Sequence, residues 1–201
     1  LEVKEGLPVP SLVAPRPPKL CDGCPHIDSY TALNEAMKSF PGGRVFSDIG
    51  CYTLGALPPF QAIYSTVDMG ASITMAKGAS EADLLPSVAV IGDSTFTHSG
   101  MTGLLDCCVD NANVTVIILD NGITGMTGSQ KSSATGRIES ICTGLGVDPA
   151  HIRVINPLKK YFEENVAIMK EEIAYKGVSV IIPRRECIVA LNKRLKAAKK
   201  A

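Results

Sequence analysis

The apolar positions of this chain fall into two alternating patterns. SVAVIG (87–92), VTVIIL (114–119) and VSVIIP (178–183) are nearly continuous apolar runs of strand length, rich in β-branched residues. RVFSDI (44–49) and AIYSTV (62–67) read as two further strands. Between these runs the apolar residues return at helical spacing. Ser29 is placed to cap a helix that carries Ala32, Leu33, Ala36 and Met37 on one face and stops at Pro41-Gly42-Gly43. Residues 71–82 are Ala-rich and helical. Residues 99–110 place Met101, Leu104, Leu105 and Cys108 on one face, and residues 158–175 do the same with Leu158, Tyr161, Phe162, Val166, Met169 and Ile173. Strands that are apolar at every position are buried on both faces. The pattern therefore predicts an α/β fold: a three-layer, doubly wound, mostly parallel sheet with crossover helices. No internal repeat is visible.

The ends differ from the middle. Residues 1–20 hold Pro8, Pro10, Pro15, Pro17 and Pro18 and show neither periodicity, so they read as a Pro-rich linker or arm. Residues 21–190 form the predicted domain. Residues 191–201, LNKRLKAAKKA, read as a basic helical tail, most simply a solvated helix end.

Charge and cysteine content narrow the function classes. The 201 residues carry 20 Lys+Arg and 20 Asp+Glu, so the basic balance of a general nucleic-acid binder is absent. No apolar run is long enough to span a membrane. LEVKEGLPVP lacks the basic n-region and apolar core of a signal peptide. The 7 cysteines are an odd number in a core-rich chain, which points to a reducing, cytoplasmic setting rather than a disulfide scaffold.

In an open α/β sheet, ligands bind beyond the carboxyl ends of the strands. Gly92-Asp93-Ser94 follows the first long run and Asp120-Asn121-Gly122-Ile123 follows the second, with one helix–strand crossover between them. That crossover returns Asn121 to the edge that holds Asp93. A carboxylate and an amide oxygen are hard donors that suit Mg²⁺, whose remaining positions go to water and substrate phosphates. Gly92 permits close backbone approach, and a helix starting near Ser99 would aim its amides at an anion. The sum is a candidate Mg²⁺–diphosphate site, although a strand-end Asp also serves as a cap or an Asx turn.

These residues resemble the thiamine diphosphate motif, in which Gly-Asp-Gly is followed, after a crossover, by Asn-Asn. Here Ser94 and Asp120 stand at the two departures. CDGCPHIDSYTAL (21–33), SDIGCYTLGALPPF (47–60), VDMGASITMAKG (67–78), GDSTFTHSG (92–100) and DNGITGMTGSQ (120–130) extend the resemblance. Their order is similar to that in the indolepyruvate ferredoxin oxidoreductases, within the thiamine diphosphate-binding domain of the alpha (large) subunit. The resemblance covers most of residues 16–187 and implies metal ligation by Asp93, Asn121 and the Ile123 carbonyl. It implies thiamine diphosphate contacts by Cys24, His26, Gly50, Cys51, Met69, Gly70, Ser72, Gly92, Asp93, Ser94, Thr95, Asn121, Ile123 and Thr124.

Several of these positions have second readings. Cys21-x-x-Cys24 is also half a zinc or iron–sulfur site with no second CxxC to complete it, or a redox pair. Ser72 is also a helix cap. His26 and His98 are candidate active-site residues, and a lone loop histidine such as His98 is also an ordinary surface residue. Thr127 and Gln130 lie in a long polar loop of the kind that carries function. Cys107 and Cys108 read as core packing.

The resemblance implies oxidative decarboxylation of a 2-oxoacid, an aryl pyruvate such as indolepyruvate, with coenzyme A taking the acyl group. The activating Glu is then expected on a pyrimidine-binding partner domain or subunit, and iron–sulfur clusters only on partner domains such as a ferredoxin-like one, in an oligomer. The alternatives are a subunit of a non-oxidative thiamine diphosphate decarboxylase or synthase, or a non-catalytic assembly domain on the same fold.

Overall fold

The computed structural model describes residues 8, 10–14 and 17–199. The expected arm at 1–20 and the end of the tail at 200–201 therefore lie partly outside the described residues. The elements run in this order: α1 (Pro25–Met37), β1 (Arg44–Ser47), β2 (Ser65–Thr66), α2 (Ala71–Glu81) and β3 (Ser87–Gly92). A short α3 (Asp93–Thr95) leads through a π-helical turn, Phe96–Gly100, into α4 (Met101–Val109). Then come β4 (Val114–Leu119), β5 (Ile123–Thr124), β6 (Gln130–Lys131), α5 (Ile138–Gly144), β7 (Ile152–Ile155), α6 (Phe162–Ala174), β8 (Val178–Pro183) and α7 (Ile188–Ala198).

The main sheet has the order β2-β1-β3-β4-β8-β7 and all its pairings are parallel. Every residue of β3, β4 and β8 is buried. That is the two-faced burial their apolar runs predict. On one face Ile73 of α2, Leu104 and Cys107 of α4, and Ile138 and Cys142 of α5 pack on Ile91, Val116, Ile118 and Ile182. On the other, Tyr30, Leu33 and Ala36 of α1 and Val166, Met169 and Ile173 of α6 pack on Val88, Val90, Ile117 and Ile181. The three-layer, doubly wound arrangement is thus present. The buried hydroxyls within the strands have a use. Thr115 and Ser179 donate to the Glu172 carbonyl at 3.0 and 3.1 Å, near the C-terminus of α6, where helix carbonyls lack partners of their own.

Several local expectations change. The first helix begins at Pro25, not after Ser29. Pro25 occupies the first turn, where no N–H is needed, and buried Ser29 instead donates to the Pro25 carbonyl at 3.1 Å. The helix expected at 99–110 begins as soon as the strand ends, at Asp93. Its first amides therefore lie beside Asp93 rather than Ser99, which sits inside the π-helical turn. The strand at 62–67 shrinks to Ser65–Thr66, because Ala62 bonds back to Gly55 and only Ser65 and Thr66 pair with residues of β1. The polar loop after Asn121 contains the small antiparallel β5–β6 hairpin. Helix α5 and edge strand β7 lie in sequence read as neither.

No helix among the described residues is long and apolar enough to cross a membrane.

Candidate active site

The chain leaves β1 in one direction, to β2, and β3 in the other, to β4. The sheet's switch point is therefore between β1 and β3, where α/β sheets open a crevice. A cleft of about 300 Å³ lies there, outside the carboxyl ends of β1, β3 and β4.

β3 and β4 run in register to their last residues, Gly92 opposite Leu119, so Asp93 and Asp120 emerge side by side. Asp93 is only 2% exposed. One of its oxygens accepts the Ser94 N–H; the other accepts the Gly122 N–H at 2.8 Å. Burial, reinforced by the nearby Asp120 carboxylate, pushes its carboxyl up to about 6. Asp120 is ion-paired: Arg184 Nε donates to it at 2.6 Å, while the same guanidinium grips Glu139 with two hydrogen bonds, at 2.8 and 2.7 Å.

Asn121 extends the site. Its Oδ1 accepts the Ile123 N–H at 3.0 Å and its Nδ2 lies 3.3 Å from Nε2 of His26. His26 is buried in the first turn of α1, and burial lowers its ring to about 4, so it is neutral at physiological pH. The Ser94 and Thr124 hydroxyls share a hydrogen bond of 2.8 Å that ties the two strand-end loops together.

Tyr52 also lines the cleft, although it was not among the candidate site residues of its segment, 47–60. Its hydroxyl meets Thr95 Oγ1 at 3.1 Å and the Ile49 carbonyl at 3.2 Å. Its ring passes between two glycines: a Cβ on either Gly50 or Gly92 would stand 2.5 Å from the same ring carbon. Those glycines thus make room for Tyr52. An aromatic in an irregular turn carries no periodic signal, so the sequence alone gave no reason to single it out. Ile49, Leu119, Gly125 and Met126 complete the wall without having been foreseen.

Of the residues singled out in sequence, His26, Gly50, Cys51, Met69, Gly92, Asp93, Ser94, Thr95, Asn121, Ile123, Thr124 and Thr127 line the cleft. Cys24, Gly70, Ser72, His98 and Gln130 do not. Ser72 is buried and gives both its N–H and its hydroxyl to the Asp48 carboxylate, at 2.7 and 2.8 Å. Gly70, at φ +99°, faces Ser99, whose oxygen would lie 2.7 Å from an added Cβ. His98 is exposed. Gln130 is exposed and closes the hairpin through Thr127.

Cys24 belongs to an adjoining cavity of about 110 Å³, which Cys21, Cys51 and Cys187 also line. His26, Cys51, Asn121, Ile123 and Gly125 border both spaces. The second pair of cysteines thus comes from separate segments rather than from a second CxxC. Burial raises the Cys24 thiol to about 11 and pushes Cys51 up as well, opposite to what an activated redox pair needs. Among the described residues no group of three or more His, Cys, Asp or Glu could hold a single metal ion. What the cleft could offer a metal ion is a mixed oxygen set: one carboxylate, one carboxamide and backbone carbonyls. That donor set fits Mg²⁺ and a diphosphate.

Residues 48–182 match the family model for the thiamine pyrophosphate enzyme C-terminal TPP binding domain. A curated relative from Archaeoglobus fulgidus, indolepyruvate oxidoreductase subunit IorA, is 35% identical over 198 residues, covering 93% of this chain and 31% of the relative. The protein of the same name from Thermococcus kodakarensis is 37% identical over 205 residues, covering 89% and 30%. The chain thus spans about a third of the length of these relatives. Among solved structures, the 2-oxoglutarate:ferredoxin oxidoreductase from Magnetococcus marinus superposes with a TM-score of 0.69 at 18% identity, over 87% of this chain and 66% of that one. Benzoylformate decarboxylase from Polynucleobacter necessarius gives 0.57 at 14%, over 78% and 33%. These two likenesses are of fold.

Proposed function

The chain belongs to the thiamine pyrophosphate enzymes, as their C-terminal TPP-binding domain, and we propose that its cleft holds the Mg²⁺–diphosphate end of that cofactor for oxidative decarboxylation of a 2-oxoacid. The observation that carries this reading is the Asp93 carboxylate, buried at the end of β3 and hydrogen-bonded to the Gly122 N–H beyond β4. Two adjacent strand ends are thereby locked around one hard anionic donor. Asp93, the Asn121 carboxamide oxygen and the Ile123 carbonyl would hold the metal. When bound, the cofactor supplies a nucleophilic carbon and a sink for the electrons released as CO₂ leaves. The protein's own part is to orient and desolvate. Tyr52, Ile49 and Leu119 present apolar surface to the cleft, and the Ser94–Thr124 hydrogen bond fixes the loops that face it.

The names of the relatives favour an aryl pyruvate, indolepyruvate in particular, as the substrate, and the acyl acceptor in this reading is coenzyme A, as the sequence resemblance implies. A pyrimidine-binding domain or subunit would complete the site and bring the activating Glu. The oxidative reading is preferred over a non-oxidative decarboxylase because Cys21, Cys24, Cys51 and Cys187 ring a cavity that shares a wall with the cleft. This departs from the expectation that clusters sit only on partner domains: four thiolates lining one cavity would suit an iron–sulfur cluster in this chain, which would carry electrons away towards a ferredoxin-like partner.

Calorimetry of thiamine diphosphate binding, with and without Mg²⁺, tests the central claim. Binding is expected to require Mg²⁺ and to disappear in Asp93→Ala. Binding that is indifferent to both, or no binding at all, overturns the reading.

A further inference from the structure

His26 stands directly behind Asn121. It is 3% exposed, and its ring meets Tyr52 edge-on, at 6.2 Å between centroids and 84° between planes. Packing of this kind fixes the plane of an imidazole. A carboxamide nitrogen donates and never accepts, so the 3.3 Å contact from Asn121 Nδ2 makes His26 Nε2 the acceptor and leaves the ring proton on Nδ1. The other end of the same carboxamide is fixed by the Ile123 N–H at 3.0 Å. Turning the group over would set an NH₂ against that N–H and an oxygen against the lone pair of Nε2. Both contacts would become repulsive.

The orientation so fixed has a consequence at the metal position. Asp93 accepts the N–H of Gly122, and Asn121 accepts the N–H of Ile123. The two oxygens thus accept from consecutive backbone amides, those of Gly122 and Ile123. We propose that His26 is a positioning residue: its Nε2 holds the Asn121 carboxamide with the oxygen turned to the side of Asp93, so that the pair presents preformed hard donors to Mg²⁺. The inference rests on the cofactor reading above and adds a role for a residue that does not itself touch the metal. Second partners of metal ligands act in this way generally, and their loss costs about 10–100-fold in affinity.

The test is Mg²⁺-dependent binding of thiamine diphosphate to the full chain, followed by calorimetry, for the unsubstituted protein, Asp93→Ala, His26→Leu and His26→Gln. Leucine removes the acceptor, whereas glutamine can offer Oε1 where Nε2 stood. The dissociation constant is expected to rise about 10–100-fold in His26→Leu and to recover in His26→Gln. Unchanged affinity in His26→Leu overturns the proposal. So does equal weakening in both variants, which would assign the effect to ring packing. No Mg²⁺-dependent binding by the unsubstituted chain, or full binding by Asp93→Ala, sinks the cofactor reading instead and takes this inference with it. Should His26→Leu fail to fold, the ¹⁵N chemical shifts of the His26 ring in the unsubstituted chain decide. Nε2 is expected to be bare, and a protonated Nε2 overturns the proposal.

Discussion

The Asp93 carboxylate reaches across from the end of β3 to accept the N–H of Gly122, beyond the end of β4, at 2.8 Å. This contact closes the floor of the cleft, yet it holds a carboxylate where water is scarce. Burial raises its pKa from 3.8 to about 6. The folded state therefore holds the Asp93 proton more tightly than the unfolded state does. Between those two values stability falls as pH rises, by up to about 3 kcal/mol from this group. Urea unfolding of the cofactor-free chain at pH 4, 5, 6 and 7 should show this loss relative to Asp93→Asn. Parallel pH profiles for the two proteins would refute it.

His26 works in the opposite direction. Burial lowers its pKa from 6.5 to about 4, so the folded state holds this proton less tightly than the unfolded state. Its contribution is fully present above pH 6.5 and is lost as pH falls towards 4, at roughly 1 kcal/mol per pH unit. The two groups offset each other across the same window, so the unsubstituted chain should respond only weakly to mild acid through this pair. His26→Gln removes one side. Relative to the unsubstituted chain it should gain stability steadily between pH 6.5 and 4.5. A constant difference across that range would mean that the ring is solvated in the fold.

Tyr52 and Gly92 give a steric prediction. A methyl group on Gly92 would stand 2.5 Å from Tyr52 Cε1, and the ring is held at its hydroxyl by Thr95 and Ile49. Overpacking of this kind costs about 1–3 kcal/mol. Gly92→Ala should therefore destabilise by that amount. In a Tyr52→Ala background most of the cost should vanish, since residues in contact are not additive. Equal costs in both backgrounds would show that the ring is not what the glycine accommodates.

Arg184 joins Asp120, after β4, to Glu139 on α5. Arg184→Met leaves the Asp120 carboxylate, 6% exposed, without its cation. The cost should be about 3 kcal/mol, the lower end for a broken buried pair, because the arginine side chain itself is 37% exposed. Asp120→Asn together with Arg184→Met should recover much of that loss. Equal loss in the single and double variants would argue against an unpaired carboxylate as the cause.

What was readable in the chain follows from the range of the forces involved. β3, β4 and β8 were legible because a strand buried on both faces must be apolar at every position. Asp93 and Asn121 were legible because each follows such a strand directly. β7 was not: Ile152, Arg153, Val154 and Ile155 form an edge strand of mixed exposure whose four residues keep neither period. Ser72 was misleading, because a serine opening a helix signals a cap or a ligand equally well, and only the fold reveals Asp48 taking both its donors. The cysteine cavity was half legible. Cys21 and Cys24 are neighbours in sequence, but Cys51 and Cys187 join them only through packing at the carboxyl edge of the sheet.

That cavity supplies the last prediction. Cys24 is buried and its thiol is raised to about 11, so it is protonated at neutral pH in the metal-free chain. Cys51, also raised, lines both the cavity and the cleft. Isolated buried thiols of this kind are inert, whereas iron ligation requires their deprotonation and therefore releases protons. Anaerobic reconstitution with iron and sulfide should produce the visible absorption of an iron–sulfur cluster, with protons released as the thiols ligate iron. Cys51→Ser and Cys187→Ser should each abolish or strongly diminish the absorption, because the two residues bring ligands from segments that the CxxC does not reach. Cys107→Ser should leave it intact, since Cys107, on α4, is buried in the core on the other side of the sheet from the cavity's α1 segment. Reconstitution that fails in the unsubstituted chain, or that survives loss of Cys51 and Cys187, would leave the oxidative reading without support from these four residues. It would return the non-oxidative decarboxylase to equal standing.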